Sequence, residues 1–176
     1  MSSSRLAGFT LVELMVTLVV IGITLAIASP NITSFVQNYR ITTQTNNLLA
    51  DLQLARNNSV SQGARVSICA SSDGAVCAGT NWSVGWIVFT DANGNGTVDA
   101  ATDTILRVSE AQSTGNTIVA SNLSTAGVIQ FRPSGLASGV TGGGATFKLC
   151  DDRTGAFGRT VSVSPTGRAS AAVATC

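Results

Sequence analysis

Between Phe9 and Ser29 the chain reads FTLVELMVTLVVIGITLAIAS, and Glu13 is the only charge in it. A segment this long and this apolar has few places to go. As a helix it spans about 31 Å, enough to cross the hydrocarbon core of a bilayer. A cleaved secretory signal is the competing reading. Its apolar stretch, however, is shorter, carries no acid near its start and ends at an A-x-A-like site, which AIASP imitates only weakly. The run also accounts for an odd composition. Of 176 residues 44% are apolar and 11% charged, against about 25% charge in a soluble domain. Such a chain is not disordered. Its net charge of +1 gives no support to a strongly electrostatic partner.

Beyond Pro30, Ile32, Phe35, Val36 and Tyr39 recur at helical spacing, and Leu48, Leu49, Leu52 and Ala55 resume the pattern. This predicts an amphipathic helix continuing to about Val60, with Pro30 as a kink between its halves. From Gly63 onward the chain turns β-rich. Strands are expected at Arg65–Ala70, Val84–Thr90, Thr104–Ser109, Val128–Arg132, Thr146–Cys150 and Thr160–Ser164, with Ala169–Ala174 as a further candidate. Gly, Asn, Asp and Ser fill the gaps with turn chemistry. An antiparallel sheet, or two, burying one face on the amphipathic helix gives an α+β class.

No catalytic constellation stands out. The chain has no histidine, which removes the commonest general base and metal ligand. It has no G-x-S-x-G and no P-loop. Asp151-Asp152 is an adjacent acid pair, but neighbours in a strand face opposite ways, so a solvated turn is expected rather than a proton-sharing dyad. Neither enzyme activity nor a cofactor is expected.

Gly8-Phe9-Thr10-Leu11-Val12-Glu13, after a short leader whose one cation is Arg5, resembles the type IV prepilin processing site. The resemblance implies cleavage after Gly8 by a membrane prepilin peptidase and methylation of the new amino-terminal Phe9. VGWIVFTDANGNGTVDAATDTILR and the later VSPTGR are similar to the GspH/FimT/FimU group of minor pilins and pseudopilins. That likeness implies a pilin-like fold: a long N-terminal helix, transmembrane in its first half, on an antiparallel β-sheet head. The expected partition is a leader at 1–8, a transmembrane and assembly helix at 9–29, its amphipathic continuation at 30–62 and a periplasmic head at 63–176. The implied role is a minor pilin of a type IV pilus, in its priming or tip complex. The alternatives are a minor pseudopilin of type II secretion and a DNA-binding pilin. Expected partners are other minor and major pilins, the prepilin peptidase and the inner membrane.

Physical chemistry gives Glu13 a role of its own. An ionisable group inside a membrane costs roughly 3 kcal/mol and is functional by default. Cleavage would create an amine on Phe9, and Glu13 of one subunit beside that amine of its neighbour would fix the axial register of stacked helices. Gly22, Ala26 and Ala28 are small enough to let such helices approach.

Four cysteines, Cys69, Cys77, Cys150 and Cys176, lie in the β-rich part. Arg5 on the cytoplasmic flank places that part in an oxidising compartment. Three disulfide pairings exist, of which Cys69–Cys77 with Cys150–Cys176 is favoured. A zinc site is disfavoured by the spacing of the first two and the lack of histidine. Asp91, Asn93, Asn95 and Asp99 resemble a calcium loop, D-x-N-x-N-G, but position twelve is Thr102 rather than glutamate. A Gly/Asn-rich hairpin is the expected alternative, and no metal is favoured. For DNA, members of the group that act in uptake carry a Gly-Arg-x-Arg pattern. Here Gly167-Arg168-Ala169-Ser170 keeps only the first arginine, with Arg153 and Arg159 nearby and Asp151 and Asp152 offsetting them.

Overall fold

The computed structural model describes residues 8–110, 115–124 and 126–176, and for residues 27–31 the backbone alone. Residues 1–7 of the leader, with Arg5, and the side chains of Ala28 and Pro30 lie outside the described residues. One helix, α1, runs Leu11–Gln62. Two compact units meet within it, one up to Asn38 and the other Tyr39–Cys176. Among the described residues no helix is long and apolar enough to cross a membrane. The expected span includes residues 27–29, whose side chains are not described.

Among the described residues of the first unit the large apolar side chains are exposed. The helical repeat expected to pack on the head begins later than the sequence suggested. Ile32, Phe35, Val36 and Tyr39 are exposed, whereas Ile41, Thr45, Leu48, Leu52, Ala55 and Ser59 are buried. Their spacing alternates between four and three residues, which keeps them on one face of a helix. Polar Asn46 and Asn47, with Gln44, interrupt the apolar signal, and that interruption obscures the register.

Among the described residues nine strands form two antiparallel sheets. The first contains β1 Val66–Ala70, β2 Trp86–Thr90, β3 Ile105–Ser109, β5 Val128–Phe131 and β6 Ala137–Ser138, in the order β3-β2-β1-β5-β6. The second orders β4 Thr117–Ser121, β7 Ala145–Cys150, β8 Gly158–Val163 and β9 Ala169–Ala174 as β4-β7-β8-β9. β4 and β6 were not expected. β6 has two residues, too few to show a period, and β4 has a single buried isoleucine next to an exposed valine, amid small and polar residues. Val84, expected to open a strand, lies instead in a 3₁₀ turn, Trp82–Val84. Asn81 accepts a hydrogen bond from the Ser83 amide, and Gly85 takes φ 113°, so the strand starts only at Trp86.

One core joins the helix to both sheets. Val66, Ile68, Trp86, Val88, Ile129 and Phe131 come from the first, Phe147, Leu149, Val161 and Val163 from the second. Trp82 meets Phe147 edge to face, with centroids 4.6 Å apart. The other face of the first sheet buries Cys69, Ile87, Phe89 and Val128 beneath Cys77 and Val98. That is why β1 and the first four residues of β2 are buried on both faces and read as unbroken apolar runs rather than alternating ones.

A buried carboxylate pins α1 to the first sheet. Asp51, 3% exposed, accepts from Trp86 Nε1 at 2.8 Å and Ser109 Oγ at 2.6 Å, and its other oxygen lies 3.4 Å from Arg107 Nε. Helix, β2 and β3 are thereby tied at one point.

Candidate functional site

The amino-terminal end of α1 holds the first group of expected residues. Helical geometry starts at Leu11, so Thr10 is the N-cap and Glu13 the third helical residue. Thr10 Oγ1 accepts the Glu13 amide at 3.2 Å, and the Glu13 carboxylate reaches back to the Thr10 amide at 3.5 Å. This is a reciprocal capping box, and the carboxylate also sits at the positive end of the helix dipole. Its signal, T-x-x-E, was present in the sequence, yet Thr10 was not singled out there. Phe9 is 85% exposed. A side chain added at Gly8 or Gly22 would meet open space.

The four cysteines form two bonds. Cys69 on β1 is joined to Cys77 with Cα atoms 5.6 Å apart, and Cys150 on β7 to Cys176 at 5.8 Å. Chain-entropy reasoning assigns them about 2.5 and 3.5 kcal/mol. Inside the first loop Asp73 accepts from the amides of Ala75 and Val76. A Cβ on Gly158 would collide with Cys176 Sγ, so the second bond needs glycine there.

The Asp/Asn/Gly loop joins β2 to β3 and is closed by its own hydrogen bonds. Asn93 Nδ2 and Asn95 Nδ2 both donate to Asp99 Oδ2, at 2.7 and 2.8 Å. Asp91, at the first position of the calcium-like pattern, is fully buried, and its Oδ2 accepts from Ser67 Oγ, Gln130 Nε2 and the Gly96 amide. Ser67 and Gln130 belong to β1 and β5, so the carboxylate is engaged by the sheet. Asp103 accepts from the amides of Ala92 and Asp99. Among the described residues no group of three or more acids and cysteines is arranged to hold a metal. The arrangement is a braced hairpin.

The arginines considered for nucleic acid are not brought together. Arg168 lines a cleft with Asn122, Gly142 and Ser164, while Arg159 lines another with Thr42, Thr45 and Val173. Arg159 lies opposite Val173, and Arg168 adjoins the other end of the β8–β9 ladder at Ala169. Arg153 is spent within its own loop. It pairs with Asp151, whose side chain is 2% exposed, and stacks over Phe157 at 4.2 Å. Asp151 therefore sits in a part-buried ion pair, because Arg153 two residues on can fold back onto the carboxylate, while Asp152 is exposed as a solvated turn requires.

The Arg153 guanidinium, donating to Asp151, holds that carboxyl below its ordinary value, with burial opposing. A depressed carboxyl pKa stabilises the fold above the unfolded value of about 3.9, and that contribution is lost as pH falls through the folded value. Asp151→Asn should therefore melt below the parent at pH 7 and converge with it toward pH 2. A series of thermal melts across that range checks it.

The family described as "Type II transport protein GspH" matches residues 44–167, and the "Prokaryotic N-terminal methylation motif" matches residues 4–29. No curated protein matches the chain in sequence. A crystal structure of the type IV minor pilin FimU of Pseudomonas aeruginosa is similar with TM-score 0.57 and 23% identity, over 77% of this chain and 90% of that one. The minor pseudopilin EpsH of the Vibrio cholerae type 2 secretion system aligns with TM-score 0.49 and 11% identity, over 76% and 97%.

Proposed function

The chain belongs to the GspH family of type II transport proteins, and on that premise we propose that it is a minor pilin of a type IV pilus. It is a pilin or pseudopilin, a structural subunit rather than an enzyme, carrying the methylation motif that anchors such subunits in the inner membrane before assembly. The finer reading is a single-pass protein with leader 1–8, membrane and assembly helix 9–29, amphipathic continuation 30–62 and periplasmic head 63–176. It is processed after Gly8, methylated on Phe9 and built into the priming or tip region beside other pilins.

One observation carries this reading. Every large apolar side chain named between Phe9 and Leu25 is exposed, from 52% at Ile21 to 85% at Phe9. A single chain in water does not leave such a surface bare. Lipid covers it before assembly, and neighbouring helices cover it afterward.

A Gly8→Val chain should accumulate as an unshifted precursor on a gel, because the residue before the cleaved bond no longer fits the peptidase. Open space around Gly8 means the change does not disturb the fold. Normal processing of that variant would overturn the assignment. A deletion strain should lose surface fibres and retain protein secretion. Lost secretion with fibres intact would assign the chain to a type II pseudopilus.

A further inference from the structure

Arg65 and Arg132 flank the ends of β1 and β5, where Val66 pairs with Phe131. Extending that antiparallel register by one residue sets the two arginines directly across from each other. Both are exposed, and both line one cleft of about 410 Å³ with Gly63, Ala64, Ala92 and Pro133. Like charges opposite one another on neighbouring strands are unfavourable. Among the described residues neither guanidinium has an ion-pair partner. Asp91, which is joined to Arg65 through the backbone, turns its acid away: its amide donates to the Arg65 carbonyl, while its Oδ2 is held by Ser67, Gln130 and Gly96. Arg65 is also seated. A Cβ on Gly94 would lie 2.6 Å from its Nη1, so glycine there lets the guanidinium lie against the loop.

We propose that this cleft receives a carboxylate-bearing segment of a neighbouring fibre subunit, an inference that rests on the fibre reading above. Two planar guanidinium groups facing one opening suit carboxylate oxygens, which arginine pairs bidentately. A polyanion fits less well. Backbone phosphates are bound by several cations together, and Arg159 and Arg168 lie in two other clefts. The chain as a whole is also near neutral at +1.

The test uses the full chain in detergent and a fluorescent hexaglutamate peptide. The parent should bind it at low salt, and Arg65→Gln/Arg132→Gln should bind about tenfold more weakly. Arg40→Gln/Lys148→Gln, with the same change in net charge elsewhere, should bind like the parent. Absence of parent binding, equal loss in the control pair, or tighter arginine-dependent binding of a DNA duplex would each overturn the proposal. In cells, the parent should be recovered in sheared fibres and the Arg65/Arg132 variant several-fold less. Equal recovery of both sinks this inference alone. Absence of the parent itself from fibres sinks the fibre reading instead.

Discussion

A Glu13→Ala chain should be inserted and processed normally, yet be recovered from fibres at about one hundredth of the parent's level. The expected size follows from leaving the Phe9 amine without its acid in an apolar surrounding, roughly 3 kcal/mol, or about two decades in an equilibrium. Alanine, however, removes two things at once. It removes the charge, and it breaks the capping box in which Glu13 and Thr10 exchange hydrogen bonds. Glu13→Gln separates them. Glutamine at this position still reaches back to the Thr10 amide but carries no charge. If the charge sets the register between subunits, Gln and Ala are equally excluded. If the helix start is what matters, Gln enters fibres nearly as well as the parent and only Ala fails. The measurement is an immunoblot of sheared fibres against membrane fractions. Equal recovery of all three chains would end the charge-pair account.

The second large effect lies in the head. Asp51→Ala removes the acceptor for the Trp86 indole N–H and the Ser109 hydroxyl and the counter-charge for Arg107. Arg107 recovers in water, since its side chain is 58% exposed. The fully buried Trp86 cannot. An orphaned buried donor costs about 1–3 kcal/mol, and the vacated volume adds to it. A loss of about 3 kcal/mol should lower the melting temperature by about 10 °C in a domain of this size. Trp86 reports the change directly through its fluorescence. Arg107→Ala, which leaves the two short hydrogen bonds in place, should cost under about 1 kcal/mol. Comparable losses in both variants would show that the ion pair, not the indole bond, is the anchor.

The fold was legible wherever its causes are local. The apolar run before Pro30, the strands with buried valine and isoleucine, and the turn-rich gaps each follow from periods and propensities read within a few residues. What escaped depends on distant neighbours. Asp51 reads as a helical surface acid, and only the partners from β2 and β3 make it a core residue. The two-residue β6 exists because Phe131 and Gln130 offer it a ladder. Asp151 looked solvated because a carboxylate's burial is decided by where Arg153 folds. At the candidate sites the same division holds. The processing motif and Glu13 are linear features. The opposition of Arg65 and Arg132 arises from strand register, across 67 residues of chain, and no local pattern announces it.

The β9 strand sits at the border of its sheet, six small uncharged residues with no lysine or proline to discourage strand exchange. On a subunit crowded among its own kind, such a border invites a foreign strand to invade or its own to peel away. The bond from Cys176 to Cys150, the last residue of β7, closes β8 and β9 into a covalent ring. Peeling then needs a reductant as well as a thermal fluctuation. A compartment that keeps cystines intact would thus guard the β9 border against strand exchange between copies.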